Sequence, residues 1–152
     1  FYGSLSYTNA KLQDDFVTRN NSNVLVILPT KGKTFVDTPK WMTGLALRYD
    51  NGPWFGLAQL KYSSKRYSTL TNDEETDGYT TVDLNLGYRL QGGDMLKNAR
   101  IQLNVLNLFN EDYLAQITST QTNAMPINGV SGTPQYTPGA PRFASLTFSA
   151  NF

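Results

Sequence analysis

The sequence contains neither cysteine nor histidine among its 152 residues. Without cysteine the chain has no disulfide bonds and no thiolate chemistry. Without histidine it lacks the commonest general base and the commonest zinc ligand, so serine–histidine or cysteine–histidine catalysis cannot be built from this chain alone. We therefore expect no enzyme activity, no catalytic residues, no metal site and no cofactor.

Charge is scarce as well. Lys and Arg total 13 against 12 Asp and Glu, the formal net charge is +1, and charged residues make up 16% of the chain. This balance gives no general attraction to nucleic acid, which is not an expected partner. The charged fraction is also below the ~25% typical of soluble domains. It indicates that part of the surface of the fold does not meet water.

Long apolar runs are missing too. No stretch of the sequence approaches the roughly 18 consecutive apolar residues of a membrane-spanning helix, which excludes a helical membrane protein. No basic and then apolar leader opens the chain. Its first residues, FYGSLSYT, read as a strand already under way, so we expect a fragment or a processed piece of a longer protein.

What the sequence does contain is a period-two alternation of apolar and polar residues. In YTTVDLNLGYRL (79–90), Val82, Leu84 and Leu86 fall on one face, whereas Asp83 and Asn85 fall on the other. Such alternation predicts β-strands with one apolar and one polar face. The other strands predicted in this way are FYGSLSYT (1–8), WMTGLALRYD (41–50), WFGLAQLKYSSKR (54–66), ARIQLNV (99–105) and RFASLTFSANF (142–152). The alternation breaks in LNLFNEDYL (106–114), the segment we expect to be most helix-like.

The connections between these strands alternate between short and long. DNGP (50–53), predicted as an Asn-Gly hairpin turn, and QGGDMLKN (91–98) are short, whereas residues 11–40, 67–78 and 115–140 form long polar joints. Strict alternation places all long joints at one end of an antiparallel sheet. Transmembrane β-barrels have this arrangement, with short turns in the periplasm and long loops outside. A soluble β-sandwich, such as a carbohydrate-binding module, alternates in the same way and is the alternative.

The positions of the aromatic residues favour the membrane barrel. Trp41 and Tyr49 share the apolar face eight residues apart, which spans ~20 Å of membrane normal at ~3.3 Å per residue and a tilt of ~40°. That length is close to the apolar band of a membrane barrel, about 25 Å tall. At the short-turn end, Trp54 and Tyr88 are predicted to lie on the same apolar face as Tyr49. We therefore predict that Trp41, Tyr49, Trp54 and Tyr88 belong to the aromatic girdles of a membrane barrel.

The last strand carries a further signal. Phe148 and Phe152 share its apolar face with Ala144 and Leu146. This pattern resembles the C-terminal strand signal of Gram-negative outer-membrane barrels. The resemblance implies that Phe148 and Phe152 are recognised by the barrel-assembly machinery. An edge strand whose last residue happens to be apolar is the alternative.

Two segments near the C-terminus narrow the family. NVLNLFNEDYL (104–114), followed after a long loop by GAPRFASLTFSANF (139–152), resembles the C-terminal end of a TonB-dependent outer-membrane receptor. DTPKW (37–41) and GYTTVDLNLGY (78–88) resemble the barrel repeats of the same family. The residues that match the family pattern at the C-terminus are Asn107, Leu108, Phe109, Asn110, Tyr113, Pro141 and Arg142.

The resemblance covers essentially the whole chain and implies its fold. It implies that residues 1–152 are an all-β, antiparallel segment of a transmembrane β-barrel, with about six strands from the C-terminal part of a wall of probably 22 strands. The plug domain and the earlier strands then lie outside this chain. Six strands are too few to close a barrel alone, because even small outer-membrane barrels use about eight.

The resemblance also implies a function. This would be TonB-dependent uptake of a scarce nutrient, above all a ferric siderophore, across the outer membrane of a Gram-negative cell. The implied partners are outer-membrane lipid and lipopolysaccharide, the remaining strands and the plug, TonB acting through the plug, the barrel-assembly machinery and the small-molecule nutrient. Carbohydrates and cobalamin stay open as ligands. A smaller porin-type barrel and an outer-membrane enzyme stay open as classes, and an upstream plug domain would exclude both.

Candidate ligand contacts are polar and aromatic residues near the predicted outer rim. Lys65 and Arg66 are candidates for pairing with an anionic ferric siderophore, because cations at a rim attract anionic ligands. The favoured alternative is that these charges are solvated, or paired with lipopolysaccharide or a neighbouring loop. The complete set of candidate ligand contacts is Lys65, Arg66, Tyr67, Tyr113, Gln116 and Tyr136.

Two further polar groups have structural alternatives. The acidic run NDEETD (72–77) suggests calcium, but it lacks the spacing of a known calcium loop, so a solvated turn is favoured. A polar ladder on the lumen side would hold the plug or merely satisfy a wet interior. Its residues are Asp83, Asn85, Arg89, Arg100, Gln102 and Asn104.

Overall fold

The computed structural model describes residues 1–20, 22–90, 97–119 and 134–151. Within these ranges every regular element is a strand, which confirms the all-β prediction. No described segment forms a helix with the length and apolarity needed to cross a membrane. The strands are β1 (Tyr2–Tyr7), β2 (Phe16–Arg19), β3 (Leu25–Leu28), β4 (Trp41–Asn51), β5 (Trp54–Ser63), β6 (Arg66–Tyr67), β7 (Glu75–Thr76), β8 (Tyr79–Arg89), β9 (Lys97–Leu106), β10 (Leu114–Thr118), β11 (Gln135–Pro138) and β12 (Phe143–Asn151).

Six strands form one large antiparallel sheet in the order β1-β4-β5-β8-β9-β12. These are the six segments that the alternation predicts, and their bounds differ from the predicted ones by no more than three residues. Strands β1 and β12 lie at the two edges, and within the described residues the sheet does not close on itself. The fold is therefore an open section of sheet.

The register separates apolar from polar side chains across the whole sheet. Leu45 lies opposite Leu60, and Leu60 lies opposite Val82, so these side chains share one face. Farther along the sheet, Leu86 and Leu146 both lie opposite Leu103. We call this surface the apolar face. Its apolar side chains are Leu5, Tyr7, Trp41, Leu45, Leu47, Tyr49, Trp54, Ala58, Leu60, Tyr62, Val82, Leu84, Leu86, Tyr88, Ile101, Leu103, Val105, Ala144, Leu146 and Phe148.

The apolar face is uncovered. Leu47 is 65% exposed and Leu146 is 70% exposed, and no second large sheet packs on them within the described part of the chain. A sandwich would bury such a face in a core about 10 Å thick. The single-layer arrangement therefore contradicts the sandwich alternative and matches a barrel section.

Aromatic side chains lie at both ends of the apolar face. At the long-connection end, the rings of Tyr7 and Trp41 have centroids 4.7 Å apart. At the short-turn end, Trp54 and Tyr88 are also 4.7 Å apart, with edge-to-face rings, and Tyr49 lies on the same face nearby. The placement of all four predicted girdle residues is thus consistent with two girdles, and their contact with a membrane stays a prediction.

The predicted hairpin between β4 and β5 is present, with a different central pair. Asn51 pairs with Trp54, which leaves Gly52 and Pro53 as the turn residues in place of Asn-Gly. Gly52 has a φ of 60°, a conformation that costs glycine little. Residues 91–96 of the second predicted short turn, and Phe152 of the predicted assembly signal, lie outside the described residues.

Each long connection contains a small hairpin that the alternation does not predict. These hairpins are β2–β3, β6–β7 and β10–β11. The LVIL segment of β3 is continuously apolar, and its Val26 and Leu28 are buried inside the first long connection. The first long connection therefore has hydrophobic packing of its own.

The prediction of a helix-like segment at 106–114 is wrong. Asn107 and Asn110 adopt left-handed conformations, with φ of 49° and 55°, which a continuous helix does not allow. The Nδ2 of Asn107 donates to the carbonyl oxygens of Glu111 and Ala140, at 2.9 Å each. The Oδ1 of Asn110 accepts a hydrogen bond from the backbone N–H of Arg142 at 3.1 Å. We call these contacts the asparagine clasp, and they join the end of β9 to the start of β12.

Gly78, directly before β8, lies against the backbone of the segment that ends β5. A Cβ atom there would lie 2.7 Å from the carbonyl oxygen of Ser63 and 3.1 Å from the nitrogen of Lys65. These atoms belong to the backbone and cannot rotate away, so Gly78→Ala is expected to lower the free energy of unfolding by about 1–3 kcal/mol. The measurement is urea unfolding of the full-length protein, followed by tryptophan fluorescence.

Gly3→Ala provides the matched control for this substitution. A Cβ atom at Gly3 meets only a side-chain methyl group of Leu45, at 3.3 Å, and that group can move. We expect a change within about 0.5 kcal/mol. Equal destabilisation by both substitutions would contradict the backbone-contact argument.

Candidate functional site

The three long connections meet at one end of the sheet and are hydrogen-bonded to one another. The side chain of Asn72 accepts from the backbone N–H of Thr34 at 2.7 Å and donates to the Thr34 carbonyl oxygen at 2.8 Å. The backbone N–H of Asp37 donates to the carbonyl oxygen of Tyr67 at 3.0 Å. The first two connections therefore form one hydrogen-bonded unit.

Arg66 joins all three connections. Its side chain is only 5% exposed, and its Nη1 lies 2.6 Å from Oδ1 of Asp37 in the first connection. Nη1 also donates to the carbonyl oxygen of Ala115 at 3.4 Å, and Nη2 donates to that of Leu114, both in the third connection. A buried charge needs a partner of this kind to be tolerated. The guanidinium group thus serves as a bridge inside the protein.

An aromatic stack extends from the Arg66 guanidinium group. Its Cζ lies 5.7 Å from the ring centroid of Tyr79, and the ring of Tyr79 stacks on that of Tyr113 at 4.3 Å and 28°. The Tyr113 ring lies directly over Gly139, where a Cβ would be 2.2 Å from Cζ of the ring. Gly139 therefore leaves the space that this ring occupies. We call Arg66, Tyr79, Tyr113 and Gly139 the loop stack.

A cleft of about 360 Å³ lies beside the loop stack. Tyr136 lines this cleft, and its hydroxyl group donates a hydrogen bond to Oε1 of Glu74. Burial raises the pKa of Tyr136 above its usual value, and the hydrogen bond to Glu74 raises it further, which favours the neutral phenol. Because the lining includes the carboxylates Glu74, Glu75, Asp77 and Asp112, we call it the acidic cleft.

A second cleft, of about 220 Å³, opens where the apolar face meets the long connections. We call it the rim cleft, and its lining residues are Thr34, Thr38, Lys40, Trp41, Ser64, Lys65 and Tyr67. The ammonium group of Lys65 lies 2.9 Å from a carboxylate oxygen of Glu75. This hydrogen bond raises the pKa of Lys65 above its usual value, because it favours the charged ammonium form.

The polar ladder lies on the face opposite to the apolar face, as predicted from its parity. At the short-turn end Arg89 forms a bidentate pair with Asp50, at 2.7 and 2.9 Å. The Arg89 guanidinium group also lies 4.7 Å over the ring of Phe55, which in turn covers Gly87. Phe55 is an apolar residue at a position of β5 where the alternation would place a polar side chain. Its ring packs against the guanidinium group of the Arg89–Asp50 ion pair on the polar face.

The structure divides the six predicted ligand residues between two sides of the rim. Arg66, Tyr113 and Tyr136 lie at the loop stack and the acidic cleft, and Gln116 lies on the neighbouring β10. Lys65 and Tyr67 line the rim cleft. Both predicted cations already have carboxylate partners, in agreement with the alternative of pairing with a neighbouring loop. Ligand contact by these residues stays a prediction.

Sequence reasoning missed three residues of this region: Asp37, Tyr79 and Gly139. Asp37 carries a weak sequence signal, because it opens the DTPKW segment; its left-handed φ of 52° is visible only in the structure. Tyr79 and Gly139 give no signal of their own, because their role depends on Tyr113, which is distant in sequence.

The acidic run at 72–77 is used for internal hydrogen bonds. Asp73 accepts from the hydroxyl groups of Thr69 and Thr71, while Asn72 binds Thr34. Among the described residues, no group of three or more acidic side chains is arranged to hold a metal ion. The segment is therefore a turn, as the favoured alternative has it, but its side chains are tied to buried threonines and to Thr34 as well as exposed to solvent.

Known proteins resemble this chain both in sequence and in fold. The catecholate siderophore receptor Fiu of Escherichia coli K12 is 39% identical over 77 residues, which are 51% of this chain and 8% of Fiu. The siderophore receptor PiuA of Acinetobacter baumannii superposes with a TM-score of 0.75 over 96% of this chain and 18% of PiuA, at 19% identity. The crystal structure of Fiu in its closed form superposes with a TM-score of 0.53 over 77% of this chain and 15% of Fiu, at 28% identity.

The chain thus spans less than a fifth of these relatives, and the likeness to PiuA shows the fold alone. A family match covers more than two thirds of the chain. The family described as TonB dependent receptor-like, beta-barrel, matches residues 1–108. This chain therefore belongs to the TonB-dependent receptor family, as a section of its β-barrel.

Proposed function

We propose that this chain is part of the wall of an outer-membrane receptor that imports a ferric siderophore by TonB-coupled transport. The observation that carries the proposal is the sheet itself, with its continuous apolar face, aromatic residues at both ends and a polar opposite face. Lipid on one side and a polar lumen on the other explain this division. An exposed apolar face of this size marks a surface that contacts a membrane or another protein, and the aromatic residues at both of its ends favour the membrane.

The ligand class is supported by the relatives. Fiu is named a catecholate siderophore receptor and PiuA a siderophore receptor. These names favour an iron chelate over the carbohydrate and cobalamin alternatives, and among iron chelates they favour a catecholate. The family of the chain supports a transporter, and the proposal is therefore of a transporter and not of an enzyme.

The contribution of this wall section to the ligand site follows from its charge. Four carboxylates line the acidic cleft, so this section does not attract an anionic chelate by itself. We propose that Tyr113, Gln116 and Tyr136 supply ring and hydrogen-bond contacts, while Arg66 positions the loops that carry them. Cationic recognition then falls to other strands of the barrel. The same proposal includes a plug against the polar ladder, TonB acting through the plug, and assembly through Phe148 and Phe152.

The test is iron uptake by cells that carry or lack the intact gene. Loss of the gene should lower uptake of a radiolabelled ferric catecholate by at least tenfold. In cells that carry the intact gene, a protonophore should abolish this uptake. Uptake that survives the protonophore would instead indicate a diffusion porin. Ferric citrate and cobalamin serve as control ligands, and loss of the gene should not change their uptake.

A charge on the apolar face tests its contact with lipid. Leu84 lies in the middle of β8, opposite Ala58 and Val105. Leu84→Arg in the full-length receptor should cost about 2–4 kcal/mol of folding free energy in a lipid bilayer, because the charge would lie near the midplane. Leu90→Arg, directly after β8 at the short-turn end, removes no aromatic contact and should cost only about 0–1 kcal/mol. Equal costs would contradict the proposed membrane orientation.

Removal of the Arg66 bridge tests the positioning role. Arg66→Met leaves Asp37 and two carbonyl oxygens without their donor, whereas the six-stranded sheet loses only the contact with the ring of Tyr79 at the end of β8. We expect about tenfold weaker ferric catecholate binding and faster proteolysis within the long connections, with the unfolding midpoint of the barrel unchanged. Lys33→Met, a change at an exposed site in the first connection, is the control and should behave as wild type. Weaker binding without faster proteolysis would make Arg66 a direct ligand contact instead.

A further inference from the structure

A third cleft, of about 360 Å³, lies on the polar face of the sheet at the short-turn end. We call it the arginine cleft, and its chemistry depends on Arg48, Asp50, Phe55, Leu57, Arg89 and Arg100. Strand β8 connects it to the acidic cleft, because Tyr79 at the start of β8 lines the acidic cleft and Arg89 at its end lines the arginine cleft. The two clefts thus lie at opposite ends of the wall.

Two guanidinium groups lie directly opposite each other in the arginine cleft. Arg89 of β8 is paired in register with Arg100 of β9, and like charges in this position destabilise a sheet unless anions compensate them. Asp50 compensates Arg89, at 2.7 and 2.9 Å, and lies 3.4 Å from Arg48. Arg100 is exposed, and its side chain has no hydrogen-bond or carboxylate partner among the described residues. The cleft therefore keeps a net positive charge.

The floor of the arginine cleft is apolar. Leu57 lies opposite Arg48 and Phe55 lies opposite Asp50, so both apolar side chains belong to the polar face, where the alternation would place polar residues. Both are half-buried. An apolar floor with guanidinium groups around it suits an aromatic ring that carries anionic oxygens, because the ring packs on the floor and the guanidinium groups bind the oxygens.

We propose that the arginine cleft is a second site for the ferric catecholate, occupied while the chelate passes along the wall towards the periplasm. The oxygens of an iron-bound catecholate group pair with Arg48 and Arg100, and its ring packs on Phe55 and Leu57. At the outer rim the acidic cleft does not attract an anion, whereas the arginine cleft attracts one at the periplasmic end. The inference rests on the proposed function and deepens it.

The experiment separates binding at the cell surface from passage through the wall. Arg48→Gln and Arg100→Gln in the full-length receptor should each lower the maximal rate of uptake of a radiolabelled ferric catecholate by about threefold. The dissociation constant of the same chelate for de-energised cells, which reports binding from outside, should not change. Arg100→Lys, which keeps the charge, should restore most of the rate.

Lys61→Gln is the matched control. It removes one positive charge from the polar face of the same wall, at a position of β5 outside the arginine cleft. We expect uptake at the rate of the wild type. Equal slowing by Lys61→Gln would indicate a general effect of charge on the polar face and would overturn the assignment of a site.

Three further outcomes would overturn the proposal. The first is an unchanged maximal rate in both arginine variants, and the second is weaker binding at the cell surface with an unchanged maximal rate. The third is raised sensitivity of the variant cells to vancomycin, a large antibiotic that an intact outer membrane excludes, because this would assign the arginines to holding a plug.

Failure of this site is distinguishable from failure of the proposed function. Heat-modifiable electrophoretic migration of every variant establishes that the barrel is folded, so a folding defect is not counted as slow passage. Equal ferric catecholate uptake by cells with and without the wild-type gene would defeat the proposed function. Gene-dependent uptake at a rate that the arginine variants share would defeat only the second site.

Discussion

The whole structure depends on keeping one register across six strands. Because side chains alternate between the two faces, a slip of a single residue would move a complete set of apolar side chains to the polar side. The ladder from Leu45 through Leu60 to Val82 shows how strictly each strand obeys this constraint. Trp54 and Tyr88 hold the short-turn end of the same face, where their rings pack edge to face. Stability in this chain thus comes from pairing along the sheet, and hardly at all from an enclosed core.

The long connections follow a different principle. They bury few apolar side chains, and they use polar links between segments that are distant in sequence. Arg66 is the centre of these links, since one guanidinium group contacts both other connections and the ring of Tyr79. A charge placed there is costly unless every partner is present. The three connections therefore hold their positions together, and the surface they present is determined jointly.

The six strands were predictable because alternation is a local signal, readable from each segment alone. The hairpins in the long connections were not, since β3 is continuously apolar and β6 has only two residues. The two left-handed asparagines escaped the sequence argument for another reason: Asn107 takes that conformation because its side chain is held by Glu111 and Ala140. The different positions of Lys65, in the lining of the rim cleft, and of Arg66, buried in the loop stack, could not be predicted. The sequence indicates only that both residues follow each other near the end of a strand.

The asparagine clasp has a consequence for how the long connections vary. The clasp joins the end of β9 to the start of β12 through side chains, at the level where the sheet ends. The ends of the intervening segment are therefore held close together whatever lies between them. Chain closure adds little entropic cost as such a segment grows. Insertions or deletions in the segment between β9 and β12 should thus leave these two strands in register. The surface of this connection can therefore change in sequence and length while the six-stranded sheet stays the same.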